Sequence, residues 1–269
     1  MRRKIRRWKT YAKETLHGNY SIIILALLAI TAVNMVVSEL VSALFGGTTI
    51  LNIITGQTAL FIVSVIMGVF SAGLSYMLLN MARGKAYTFG DLLYFFKNYP
   101  DRVIIAGIVL GIIDLIVSIP YYYVNYFVDP GTTLEENMQW LMKLGLMLLL
   151  ASVLNLLLTL PFVLTYFLLA DDLELGGIEA LKMSAKLMKG NIGKYLLLEI
   201  SFIPLLILSV FTLYIALLWL VPYMEMSAVM FYRDLRGEFT PEMPGYDTPY
   251  SLAREAEKRR ENDDYNAEA

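Results

Sequence analysis

The chain has 269 residues, 57% of them hydrophobic, with one histidine, no cysteine and a formal net charge of −2. That is more apolar surface than an ordinary soluble domain carries, about 45–50% of residues, so lipid has to cover the excess. The missing cysteines exclude disulfides, thiolate metal sites and cysteine nucleophiles, and the single His17 leaves two-histidine zinc sites and a serine-histidine-acid triad without their parts.

Six apolar runs follow in chain order: Tyr20–Phe45, Thr58–Met81, Val103–Val128, Leu144–Ala170, Tyr195–Ser209 and Thr212–Tyr232. All but the fifth reach the roughly 20 residues a helix needs to cross the hydrocarbon. The first has a basic start but is longer than a secretory-signal core, and it reads as an uncleaved span. Of the 22 Lys and Arg residues, 21 fall in four clusters, Arg2 to Lys13, Arg83 to Arg102, Lys182 to Lys194 and Arg233 to Arg260, and only Lys143 lies elsewhere. A pair of runs separates each cluster from the next, so the positive-inside rule puts both termini in the cytoplasm. The expected fold is an all-α polytopic membrane protein of about six transmembrane helices in three hairpins. It occupies residues 1–236 and leaves 237–269 as a flexible cytoplasmic tail. Pro241, Pro244 and Pro249 and the scarcity of large aliphatics keep that tail from nucleating a core, although Ser251–Asn262 suits a transient helix.

The outward connections Gly46–Gln57, Asp129–Gln139 and Val210–Phe211 are short; the first is uncharged and the second holds Asp129, Glu135 and Glu136. Each inward connection instead carries an amphipathic stretch before an odd-numbered span: Ile5, Trp8, Ala12 and Leu16; Phe89, Leu92, Leu93 and Phe96; Ile178, Leu181, Ala185 and Met188. These spacings place apolar residues on one helical face, with Lys182, Lys186 and Lys189 on the flank of the third. Such interfacial helices are expected to lie on the inner leaflet. Each enters its span through an asparagine, in Leu16-His17-Gly18-Asn19, Phe96-Lys97-Asn98 and Met188-Lys189-Gly190-Asn191. The recurrence reads as three degenerate repeats or as convergence on one entry turn.

Polar groups inside the spans are the candidate sites. Asp114 is central in the third span and must be paired or neutral there. Gly107, Gly111 and Ser118 share its face, and Ser64, Gly68 and Ala72 of the second span offer a small-residue partner surface. A carboxyl hydrogen-bonded across a tight helix pair is one reading, and a proton or cation site the other. Glu199 and Glu225 lie at similar depths on the two arms of the last hairpin, where neighbouring carboxylates would share a proton or hold a cation. Tyr214, Glu225 and Tyr232 fall on one face by the 3.6 period. Pro204 and Pro222 free the carbonyls of Ile200 and Leu218, and Pro120 and Pro161 punctuate the third and fourth spans. Asn34, Asn125 and Asn155 suit bonds between helices, whereas Trp140, Trp219 and Tyr121-Tyr122-Tyr123 suit interfacial anchoring or packing.

No enzyme signature such as H-E-x-x-H, G-x-S-x-G or a phosphate-binding glycine loop appears, and the sequence calls for no cofactor, catalytic residue or metal ligand. Asp171, Asp172 and Glu174 form an acidic group at a membrane face, which reads as the favourable start of the third interfacial helix or as a divalent-ion site. The basic residues favour an anionic cytoplasmic leaflet as partner. With no stacking platform beside them, they do not suggest nucleic acid.

The stretch Leu169-Ala170-Asp171-Asp172-Leu173-Glu174-Leu175-Gly176, with Glu179-Ala180-Leu181, Ser184 and Leu187-Met188-Lys189-Gly190-Asn191, resembles the bacterial integral-membrane family called domain of unknown function 975. Leu198-Glu199-Ile200-Ser201-Phe202, Trp219-Leu220-Val221-Pro222-Tyr223 and Phe231-Tyr232-Arg233-Asp234-Leu235 look like its closing hairpin, and Ala12-Lys13 through Gly18-Asn19 like its opening. The resemblance implies a six-span membrane protein typical of Gram-positive bacteria and brings no reaction or substrate. Three readings stay open: a non-enzymatic scaffold or lipid-interacting accessory protein, alone or with a membrane-protein partner or second copy; a proton- or cation-coupled transporter; and a lipid head-group enzyme.

Overall fold

The computed structural model describes residues 2–47 and 49–239, which are helical with no strand among them. The expected tail helix and residues 240–269 lie outside the described residues. The helices are α1 Arg2–Leu16, α2 Tyr20–Phe45, α3 Ile50–Ala82, α4 Tyr94–Lys97, α5 Pro100–Phe127, α6 Leu134–Thr159, α7 Thr165–Asp171, α8 Gly177–Met188, α9 Ile192–Ile200, α10 Ile203–Phe211 and α11 Leu217–Leu235. Five helical segments are long and apolar enough to cross a membrane: α2, α3, α5, the 38-residue stretch Leu134–Asp171 and Ile192–Phe211. The expected sixth run does not join them on that criterion. Leu213 and Tyr214 adopt left-handed backbone (φ 51° and 65°), so α11 starts only at Leu217, and its 19 residues include Glu225, Arg233 and Asp234. In the other direction, α3 absorbs most of the expected outward loop, because Ile50, Leu51, Ile53 and Ile54 extend its apolar length to 33 residues.

The three asparagine entries share one local structure. The Asn19 Nδ2 amide donates to Thr15 O, that of Asn98 to Tyr94 O and that of Asn191 to Leu187 O, at 3.1, 3.0 and 2.8 Å. In the first and third entries the side chain thereby closes a carbonyl that the helix end leaves open, whereas Tyr94 O also accepts from the Asn98 backbone N–H. In the first and third entries the preceding Gly18 and Gly190 both take φ +81° with open space around them, so the left-handed turn itself is what requires glycine.

The chain forms two compact units. Among the described residues, the first comprises those up to Leu28, Leu74–Asp91 and those from Gly193 to Phe239. Its core holds Trp8, Ala12 and Leu16 of α1, Met77 and Leu78 of α3, Leu198, Phe202, and Met226, Val229, Met230, Phe231 and Tyr232 of α11, none more than 1% exposed. The apolar face of α1 is therefore buried in protein against α11 instead of facing the leaflet. Each large side chain so buried is worth about 1.5–3 kcal/mol.

The second unit comprises Ala29–Gly73 and Leu92–Ile192. In it α8 packs on α5 and α7 through Gly177, Ala180, Leu181, Ser184 and Met188. The buried face is thus rotated from the expected one, and Ile178 is exposed. The middle amphipathic stretch differs more: it is a 3-10 turn, Phe89–Leu93, followed by the single-turn α4. Leu92 and Phe95 are buried, while Phe89, Leu93 and Phe96 are exposed.

Ser184 explains how α8 is fixed. Pro161 interrupts the helix between α6 and α7, and the Ser184 hydroxyl donates to Pro161 O at 2.8 Å while accepting from Leu164 N at 3.2 Å. It satisfies a carbonyl and an amide that the break leaves open in a fully buried place. Ser184→Ala is expected to cost about 1.5 kcal/mol, read as a lower melting temperature of the purified protein; an unchanged value would show that the break rearranges freely.

Candidate functional site

A second helix break organises the polar groups of the first unit. Pro204 lies in the first turn of α10 and has no N–H for the Ile200 carbonyl, so α9 ends at Ile200 and the chain turns through Ser201 and Phe202. Phe202 N bonds Glu199 O, and Leu205 N bonds Phe202 O, which leaves the Ser201 carbonyl outside the helical ladder. Lys9 of α1 fills that gap. Its ammonium donates to Ser201 O at 3.2 Å and Ser201 Oγ at 3.0 Å, and lies 3.9 Å from the centre of the Phe202 ring. Phe202 meets Tyr223 edge to face at 5.2 Å. Burial holds the Lys9 ammonium below its usual pKa range.

One residue before the break, Glu199 lies one turn after Tyr195 on α9, close enough for the phenol and the carboxylate to interact. Glu225 of α11 lies close enough to interact electrostatically with both Glu199 and Tyr195. The two carboxylates expected to share a depth are thus within electrostatic reach of each other, and both are partly buried. Phe231 packs on Tyr195 at 5.3 Å and on Trp8 at 5.1 Å, so an aromatic wall flanks the acids. A carboxylate pair with a phenol donor beside a broken helix has the parts to hold a proton or a small cation.

Tyr214 is not part of this group. The left-handed residues before α11 break the 3.6 period, Tyr214 is 60% exposed, and Tyr232 is fully buried in the core. The expected stripe of Tyr214, Glu225 and Tyr232 does not form.

The C-terminal end of α11 carries an ionic cluster that sequence reasoning missed. Arg233, 6% exposed, donates to Ala82 O and to Glu238, which also receives Arg83. Asp234 pairs with Arg7 at 2.9 Å and Lys4 at 3.3 Å, and Phe239 stacks on Tyr11 beneath the Arg7 guanidinium. Burial alone would raise the Glu238 pKa, but the hydrogen bonds and charges of Arg83 and Arg233 outweigh it and hold the carboxyl below its ordinary range. These basic residues look topogenic in the sequence, and only the acids at 234 and 238 hint at pairing.

In the second unit, Gly107 and Gly111 do pack on α3, but against Val65 and Phe61. Gly68 instead lies under the Tyr166 hydroxyl, and Ala72 is fully buried. Asp114 does not turn to α3: it accepts from Asn155 Nδ2 of α6 at 2.6 Å. Asp171 and Asp172 do not start α8 either. Asp171 ends α7 and Asp172 caps its C-terminus, where negative charge is unfavourable, and the carboxylate serving the start of α8 is Glu179, bonded to Gly176 N. No group of three or more metal-ligating side chains occurs among the described residues.

A family model described as "Protein of unknown function (DUF975)" matches residues 1–238. No curated protein and no solved structure matches the chain.

Proposed function

The chain belongs to the DUF975 family of unknown function, and we propose that it is a non-enzymatic scaffold or lipid-interacting accessory protein of the bacterial plasma membrane. In this reading α11 completes six spans and both termini are cytoplasmic, as the segregation of basic residues supports. The observation that carries the proposal is the outer face of α8. While its small and apolar residues dock on α5 and α7, Ile178, Lys182 and Lys186 form one exposed stripe along the helix, and the exposed Lys189 follows at its C-cap. An apolar residue followed by three lysines at the cytoplasmic surface suits an anionic leaflet, each charge contributing about 1 kcal/mol.

Native mass spectrometry tests this. The wild type is expected to retain phosphatidylglycerol from mixed micelles, and the triple variant Lys182→Gln, Lys186→Gln, Lys189→Gln to retain much less, with phosphatidylcholine unaffected. Equal retention by both proteins would remove the lipid reading.

A second reading, proton- or cation-coupled transport of a small solute, is favoured by one specific arrangement: Glu199, Glu225 and Tyr195 beside the α9–α10 break. It predicts flux in proteoliposomes that falls at least about tenfold in Glu199→Gln or Glu225→Gln, the scale expected for an essential intramembrane acid. Flux that both variants leave unaltered would rule it out.

A further inference from the structure

The third span carries a polar stripe that neither reading uses. Asp114, Ser118, Tyr122 and Tyr126 recur every four residues along α5, so they line one side of the helix from its middle to its outer end. The stripe is continuous in space. Tyr122 lies near enough to Asp114 and Tyr126 to interact electrostatically with both, its ring stacks on Tyr126 with centroids 6.3 Å apart, and the Tyr126 hydroxyl accepts from Gln57 of α3 at 3.1 Å. Tyr121 adds an edge-to-face contact with Tyr122 at 5.6 Å.

Asp114 at the inner end is exposed even though its bond to Asn155 turns it toward α6. The carboxylate therefore lies at the surface edge of the α5–α6 pair, within reach of a ligand from the side. An aspartate placed this way in hydrocarbon is either protonated or compensated by a positive group. Asn155 presents an N–H, which occupies one carboxylate oxygen, and no further hydrogen bond to Asp114 occurs among the described residues. The outer end has matching charge. Asp129 lies in the connection beyond Tyr126 and Glu135 and Glu136 in the first turn of α6, and no Lys or Arg occurs between Arg102 and Lys143, so cations concentrate there.

We propose that this stripe is a binding path, open from the outer side, for a small organic ammonium ion whose charged nitrogen reaches Asp114 and whose carbon chain lies along Tyr122 and Tyr126. The choice of ion follows from the donors. Calcium and magnesium take six or more oxygen ligands and zinc favours nitrogen and sulfur donors beside carboxylates, whereas the stripe supplies one carboxylate oxygen, two kinds of hydroxyl and ring faces. An ammonium group donates N–H bonds to the carboxylate and a hydroxyl, and tyrosine faces stabilise its charge. The site lies in the second unit and involves none of the groups around Glu199, so it stands or falls apart from the transport reading.

Trp140 donates to Val124 O at 3.3 Å, close to the tyrosines, and its fluorescence provides the readout. Full-length protein in nanodiscs is titrated with propylammonium chloride, with sodium chloride at equal ionic strength as the control. A saturable change is expected with propylammonium alone. Asp114→Asn should weaken it by about tenfold or more, as loss of a charge-assisted bond does. Tyr122→Leu should also weaken it, Tyr122→Phe less so, and Glu225→Gln should leave it intact. If Asp114→Asn fails to fold, the Tyr122 pair decides. No saturable change, an equal response to sodium, or affinity unaltered in Asp114→Asn or Tyr122→Leu would overturn the proposal.

Discussion

Arg233→Ala is expected to destabilise the protein by about 3 kcal/mol, because removing one member of a buried charge network leaves the others unpaired. Arg233 is 6% exposed and joins the end of α3, through Ala82 O, to the segment after α11, through Glu238 and the Phe239 ring. Arg83 remains to hold Glu238, which limits the loss, but the Ala82 carbonyl has no substitute donor of comparable strength. The measurement is the melting temperature of detergent-purified protein. A variant as stable as wild type would mean that the cluster merely tolerates its charges. The same cluster sets an acid limb. Glu238 is held below its ordinary value of 4.5, so its contribution is complete above that value and is lost as pH falls through the lower folded value. Glu238→Gln should flatten the fall in melting temperature below about pH 4.5, while leaving the protein less stable than wild type at neutral pH.

What periodicity and charge made legible was the presence of helices and their order. Tyr20–Phe45 emerged with its expected bounds, because a long apolar run between a glycine-asparagine turn and a glycine pair has one physical solution. Depth counting placed Glu199 and Glu225 at similar levels, and the two carboxylates lie within electrostatic reach of each other. What an apolar face packs against was not legible. Trp8, Ala12 and Leu16 would suit lipid or protein equally by spacing alone, and only the aromatic and small residues of α11 decide for protein. Tyr214 went astray for a related reason, since a 3.6 period holds only while the backbone stays helical and nothing in Thr212-Leu213-Tyr214 announces left-handed turns. Asp114 shows the same limit across helices. Its face was readable, but the choice of Asn155 over the second span depends on how α5 and α6 cross.

The two proline breaks share a logic that no single stretch of sequence displays. Pro161 and Pro204 each interrupt a long helix, and in each case an amphipathic helix sends a side chain into the gap, Ser184 from α8 and Lys9 from α1. Intramembrane prolines are tolerated when such partners satisfy the freed backbone. The amphipathic helices, expected to float on the leaflet, act here as braces for broken spans.

Lys9→Ala therefore has an expected effect well beyond that of a surface lysine, about 2 kcal/mol of lost stability. Two contributions add. The Ser201 carbonyl loses its charged donor and cannot rejoin the helix, because Leu205 N is already committed to Phe202 O; an orphaned carbonyl of this kind costs about 1–3 kcal/mol. The cation over Phe202 at 3.9 Å contributes about 0.5–2 kcal/mol more. Relief of the ammonium's desolvation opposes both, and its sign can be checked. Because burial lowers the Lys9 pKa from 10.5, the unfolded chain holds the proton more firmly, and wild-type stability rises with pH from the folded value up to 10.5. Lys9→Ala should lack that rise, so the gap between the two proteins widens in alkali. Ser201→Ala removes only the hydroxyl and should cost less than Lys9→Ala. Limited proteolysis supplies an independent readout: with Lys9 gone, α1 should release from α11 and be cut near His17 before the rest of the chain. If α1 stays protected and the melting temperature holds, the apolar face of Trp8, Ala12 and Leu16 alone secures the brace, and Lys9 contributes little to it.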